Sequence, residues 1–158
     1  MHSLLQQQRE RESDSGPRSR NESGGTNRQL AETTLFRLGR FIYGAILAFM
    51  AADNLRNLEG RVQYAEAKGA PAPSFSVPAI SGGLLFGSAG VALWRAPVAS
   101  AAAVAGFFAG VTPVMHDFWN IDDPEEQQQE FIGFAKNTAL LGAALTFLQL
   151  GRSQQSER

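Results

Sequence analysis

The residues of this 158-residue chain best placed for chemistry sit at the edges of long apolar runs: Asp53, Asn54, His116, Asp117, Trp119, Lys136 and Asn137. Asp53 and Asn54 close one apolar segment, His116-Asp117-Phe118-Trp119-Asn120 closes another, and Lys136-Asn137 lies early in a third. An imidazole titrates near neutral pH and can hydrogen-bond a ligand. An ammonium beside carboxylates can pair, which suggests Lys136 with Asp53 or Asp117. Ionisable groups at the rim of an apolar medium are costly, and they persist where they are paired or functional. Two readings follow. The cluster either locks helix ends and orders a loop, or it forms a small polar ligand-binding pocket at a membrane surface. Trp119 fits both, since aromatic side chains are ordinary at such an interface. No catalytic set can be assigned.

Other chemistries are excluded by composition. The chain has no cysteine, so disulfides, iron–sulfur clusters, thiolate zinc sites and cysteine nucleophiles are ruled out. Two histidines, one of them His2 in a polar tail, leave no pair for a bis-histidine haem. No metal site is expected. No dinucleotide fingerprint, nucleophile elbow or HExxH motif is present. Fourteen basic residues against fifteen acidic ones argue against a nucleic-acid partner, which needs clustered Lys and Arg.

The elements that must position these residues are apolar helices. The mean hydropathy of −0.16 averages two unlike parts. Residues 1–30 are rich in Arg, Glu, Ser, Gln and Gly with few large apolar side chains, so they read as a disordered polar tail. Residues 152–158 form a short polar tail at the other end. Between them, 31–151 reads as an all-α, four-transmembrane-helix bundle with helices at about 35–58, 77–94, 97–116 and 124–150. No Asp, Glu, Lys or Arg occurs between Lys68 and Arg95 or between Arg95 and Asp117. Residues 96–115 alone can cross a bilayer core of about 30 Å. Pro78 and Pro97 are expected in first helical turns, and Asp122 or Asp123 should cap the last helix ahead of Pro124. The alternative is a soluble helical bundle, but a helix of that kind needs a polar face, and residues 96–111 have none.

Lys and Arg give the orientation. With both termini inside, ten arginines fall on the cytoplasmic side, leaving Arg56, Arg61, Lys68 and Lys136 outside with the acidic 117–130 segment. The first outer loop reads as partly helical, with Leu58, Val62 and Ala65 on one face. Small residues recur every fourth position: Gly44, Ala48 and Ala52, then Gly83 and Gly87, then Gly106 and Gly110. They suit close helix packing within the chain, or a homo-oligomer face.

Several segments together resemble the DoxX family of small four-helix membrane proteins: Asp53-Asn54-Leu55-Arg56-Asn57-Leu58-Glu59-Gly60, Tyr64 to Pro71, His116-Asp117-Phe118-Trp119, and Phe134-Ala135-Lys136-Asn137-Thr138-Ala139-Leu140-Leu141-Gly142. The arginine-rich composition is similar to haloarchaeal members. The resemblance implies an integral membrane protein associated with a quinone-linked respiratory oxidoreductase. It matches the family at His116, Phe118, Trp119, Lys136 and Asn137, without assigned roles.

The functional expectation is an accessory or quinone-associated subunit of a membrane redox system, in the cell membrane, with no self-contained catalytic site. A quinone is the expected cofactor. The lipid bilayer and a redox subunit are the expected partners. The alternatives are a small structural or interaction protein, with Asp122 to Glu130 as docking surface, and a transporter-like unit. The second and third helices carry no ionisable residue at depth, which counts against transport.

Overall fold

A computed structural model describes residues 33–156. The tail at 1–30 lies outside the described residues, as do 157 and 158. The described chain is helical throughout, with no strand. Helix α1 spans Thr34–Arg56, α2 Leu58–Ala67, α3 Pro73–Leu93, α4 Pro97–Met115 and α5 Pro124–Ser156, with a 3-10 turn at Phe118–Asn120 before α5.

Local sequence explains most of the boundaries. The Thr33 hydroxyl accepts from Phe36 N and caps α1. Asp123 caps α5, its Oδ1 accepting from the backbone N–H of Glu125 and Glu126 at 3.0 and 2.9 Å. Those two carboxylates then lie in the first turn, where the helix dipole favours them. Pro73 and Pro97 occupy the first turns of α3 and α4. Pro78 does not: α3 begins about a turn earlier than the apolar pattern from Val77 suggests, which leaves Pro78 inside the helix. The mixed stretch Pro73-Ser74-Phe75-Ser76 hides that start. At the other end α5 runs on through Ser156, beyond the polar boundary at 152.

Helices α1, α3, α4 and the TM-length α5 are each long and apolar enough to cross a membrane. The 33 residues of α5 would reach about 50 Å, longer than a bilayer core of about 30 Å. The outward-facing side chains are large and apolar: Phe49, Phe75 and Phe86 are 71%, 76% and 66% exposed. The buried ones are mostly small, including Ala51, Ala101, Ala105, Ala144, Ser88 and Ser100. Large apolar groups outside and small ones between helices are the arrangement of a protein solvated by lipid, and the opposite of a water-soluble bundle.

Helix α1 packs on α3, α3 on α4, and α4 on α5, while α2 lies against α3. A side chain at Gly44 would place its Cβ 2.5 Å from Ser88 O, and one at Gly87 2.8 Å from Ser100 O. Gly44 lets α1 approach α3, and Gly87 together with Gly90, where a Cβ would run into Ser100, lets α3 approach α4. Gly83, Gly106 and Gly110 are different, because a Cβ at any of them meets nothing within 4 Å. Leu58, Val62 and Ala65 of α2 turn inward, and Ala65 is fully buried.

Candidate functional site

The α3–α4 corner and the far ends of the same helices hold the two polar clusters. At the corner, the Arg40 guanidinium donates to Ala92 O at 2.6 Å and Val91 O at 3.3 Å, a cation set against the C-terminal carbonyls of α3. It lies 5.5 Å from the centre of the Trp94 ring. Trp94 Nε1 donates to Gln154 Oε1, Phe36 and Phe147 pack against the indole, and Tyr43 packs in turn on Phe147.

The opposite end is where the sequence-selected residues gather. Asp53 pairs with Arg61 of α2 at 3.1 Å and also accepts from Asn57 Nδ2 at 2.9 Å. Asp117 accepts from Lys68 Nζ at 3.4 Å. Lys68 also reaches Glu130 Oε1 at 3.6 Å, while Glu130 Oε2 meets His116 Nδ1 at 2.6 Å. The His116 ring lies flush on α5 at Gly133, where a Cβ would come within 2.6 Å of it. The chain Asp117–Lys68–Glu130–His116 thus ties the α2–α3 loop, the end of α4 and the first turns of α5 together. Burial disfavours the Lys68 ammonium, but the neighbouring Tyr64 and the carboxylates of Glu130 and Asp117 outweigh it and hold its pKa above the ordinary lysine value.

The expected partner of these carboxylates was Lys136. In the structure Lys136 is exposed on α5 and pairs with no described residue, and Lys68 takes its place. The reason is the path of the loop after α2, which folds Lys68 back over the end of α4. Trp119 also stands apart, half exposed, stacked edge-on with Phe118 and Phe134 beside a separate surface hollow.

A cavity of about 450 Å³ opens beneath the ionic rim. Such a volume lies within the range of small-molecule sites. Its deep wall is apolar, including Leu47, Leu84 and Phe108, and its polar wall comprises Asp53, Asn54, Arg61, Tyr64, Ser81, His116 and Asn137. Of the sequence-selected residues, Asp53, Asn54, His116 and Asn137 therefore share one cavity, whereas Asp117, Trp119 and Lys136 do not line it. Within the cavity the two formal charges of Asp53 and Arg61 offset each other, and His116 is engaged by Glu130. The neutral groups are the ones left over. Asn54, Asn137 and Ser81 side chains have no hydrogen-bond partner among the described residues, and Ser81 is only 2% exposed.

Ser81, Arg61, Tyr64 and Glu130 were missed by sequence reasoning. For Ser81 the one available signal was a hydroxyl inside an otherwise apolar run. For Glu130 it was a carboxylate fourteen residues after His116, a separation that carries no helical register across the intervening turn. No group of His, Cys, Asp or Glu among the described residues could hold a metal ion.

Comparison with known proteins corrects the family assignment. The family model described as HR-like lesion-inducing matches residues 87–150, from Gly87 of α3 through α4 to Leu150 of α5. The matched region contains the very HDFW and F.KN.ALLG segments on which the DoxX resemblance rested, so that resemblance is withdrawn. The haloarchaeal and oxidoreductase associations lose their support with it. Short runs of interfacial aromatic, small and apolar residues are dictated by the membrane edge as much as by descent, which is why they misled. No curated protein and no solved structure matches the chain. The matched region is less than half of the chain and is a similarity to that family.

Proposed function

We propose that this is a multi-pass membrane protein that binds a neutral, amphipathic molecule of quinone type in the cavity lined by α1 to α5, and has no self-contained catalytic site. The observation that carries this reading is Ser81. Ser81 is 2% exposed as a residue, and its hydroxyl has no partner among the described residues and lines the cavity wall, so what enters the cavity is what can complete it. Asn54 and Asn137 offer further donors. Because Asp53 and Arg61 neutralise each other, the head group that suits the site is uncharged and accepts hydrogen bonds, as quinone carbonyls do.

The lysine and arginine distribution supports placing both termini on the cytoplasmic side of the cell membrane, with the cavity mouth outside. The redox-partner reading drew on the withdrawn resemblance, so the binding reading stands on the cavity alone. The test is calorimetric titration of the purified protein with a methoxy-substituted benzoquinone. Saturable binding is expected, and Ser81→Ala should weaken it about three- to tenfold, the worth of one neutral hydrogen bond. A wild-type protein that gives no saturable heat overturns the reading. Tryptophan quenching is a poor probe here, because neither Trp94 nor Trp119 lines the cavity.

A further inference from the structure

A second, almost wholly apolar hollow of about 360 Å³ lies between α3 and α4 on their outer face. It runs from the Ala70–Pro71 loop past Gly83 on α3, and along α4 from Met115 to Ala103, a length of about 18 Å. Val77, Ile80, Phe107, Val111 and Met115 line both this groove and the polar-mouthed cavity, so the two spaces meet along a common apolar wall. Glycine makes the groove. A Cβ at Gly83, Gly106 or Gly110 would meet nothing within 4 Å, so these positions are not small for the sake of helix contact, as Gly44 and Gly87 are.

We infer that this groove receives the apolar tail of the molecule whose head lies in the adjoining cavity, so that the ligand is a single-tailed lipid such as a prenylated or alkylated quinone. The inference rests on the head-group reading above. Three observations point to a tail rather than to another occupant. The groove shares an apolar wall with the cavity that Ser81 lines, a residue with no hydrogen-bond partner among the described residues. It carries no charged residue. It lies on two helices of membrane-crossing length, where the surrounding medium is itself hydrocarbon and a chain can enter sideways. In such a medium a tail is held by packing into a matching groove, which removing side chains creates and adding them destroys.

The experiment uses the full-length protein in lipid nanodiscs with two probes: the methoxy-substituted benzoquinone head alone, and the same head carrying a decyl chain. The wild type should bind the decyl form at least about fivefold more tightly than the head. Gly106→Leu and Gly110→Leu, which fill open space, should abolish that advantage and leave head binding unchanged. If the wild type binds both probes equally, or the leucine variants keep the advantage, the tail groove is overturned while the head site stands. If the wild type binds neither probe, the head-site reading itself falls. If the variants instead convert a crosslinkable dimer into a monomer with unaltered decyl binding, the groove is a face between copies and the tail assignment is overturned.

Discussion

The two ends of the helices treat their polar groups in opposite ways. At the α3–α4 corner nearly every polar group is satisfied by another. Arg40 is spent on the carbonyls of Val91 and Ala92, with only its Nε unmatched, and the Trp94 N–H is spent on Gln154. At the other end the charged groups pair along the rim, while Ser81, Asn54 and Asn137 line a cavity and have no hydrogen-bond partner among the described residues. In an apolar surrounding an unmatched polar group is expensive. The comparison therefore separates groups that hold the fold from groups held ready for something else, and substitutions at the two kinds of position should fail in different ways.

The largest effect belongs to close helix contact. Gly44→Leu forces a Cβ to within 2.5 Å of Ser88 O and 2.8 Å of Ala92 Cβ, and neither backbone can yield without parting α1 from α3. We expect a loss of more than about 3 kcal/mol, read as failure to purify a monodisperse protein. Gly106→Leu, in open space, should purify like wild type. Equal behaviour of the two would erase the distinction between packed and open glycines.

Next is Arg40→Met, which keeps the apolar stem and removes the cation. The α3 terminus loses charged donors to two carbonyls, which should cost about 2 kcal/mol. A clear fall in thermal midpoint with unchanged quinone binding is the expected result. Weakened binding would show that the closed end communicates with the cavity.

Lys68→Met should cost about 1 kcal/mol, because the pairs it breaks are partly exposed. The sign with pH follows from the raised Lys68 pKa. A cation favoured in the folded state stabilises it fully below the ordinary lysine value, and the contribution is lost as pH rises through the higher folded value. The gap in thermal midpoint between wild type and Lys68→Met should thus hold from neutral pH to about 10 and close above that. A gap that closes near neutral pH would assign the pairing to a different group.

How much of this was legible beforehand depended on whether a feature is local. The uncharged runs on either side of Arg95 gave α3 and α4, and Asp123 before Pro124 gave the start of α5, because capping and hydropathy act within a few residues. Pro78 misplaced a boundary by about a turn because proline is tolerated both at a helix start and, in an apolar setting, within the helix. The polar rim was legible only in part: His116 and Asp117 were selected from the sequence, whereas Lys68 and Glu130, which pair with them, were not. The sequence suggested Lys136 for Asp53 or Asp117, and it is the fold of the loop after α2 that brings Lys68 to Asp117 instead. Ser81 was the least legible of all, since a lone serine in an apolar helix ordinarily bonds its own backbone, as Ser88 does to Leu84.

That contrast between two serines on one helix gives the smallest expected change in stability and the most telling one. Ser88 is fully buried and donates within α3, so Ser88→Ala removes a satisfied bond and should cost about 1 kcal/mol. Ser81 is 2% exposed and donates to no described residue, its hydroxyl lining the cavity, so Ser81→Ala removes no bond that holds the fold. It should leave stability within about 0.5 kcal/mol of wild type, or raise it slightly. Thermal unfolding of the two variants without ligand checks the stability half, and quinone titration checks the other. Only Ser81→Ala should lose affinity. A Ser81→Ala protein as destabilised as Ser88→Ala would mean that the hydroxyl is consumed by the fold, and the cavity end would then differ from the closed end in shape alone.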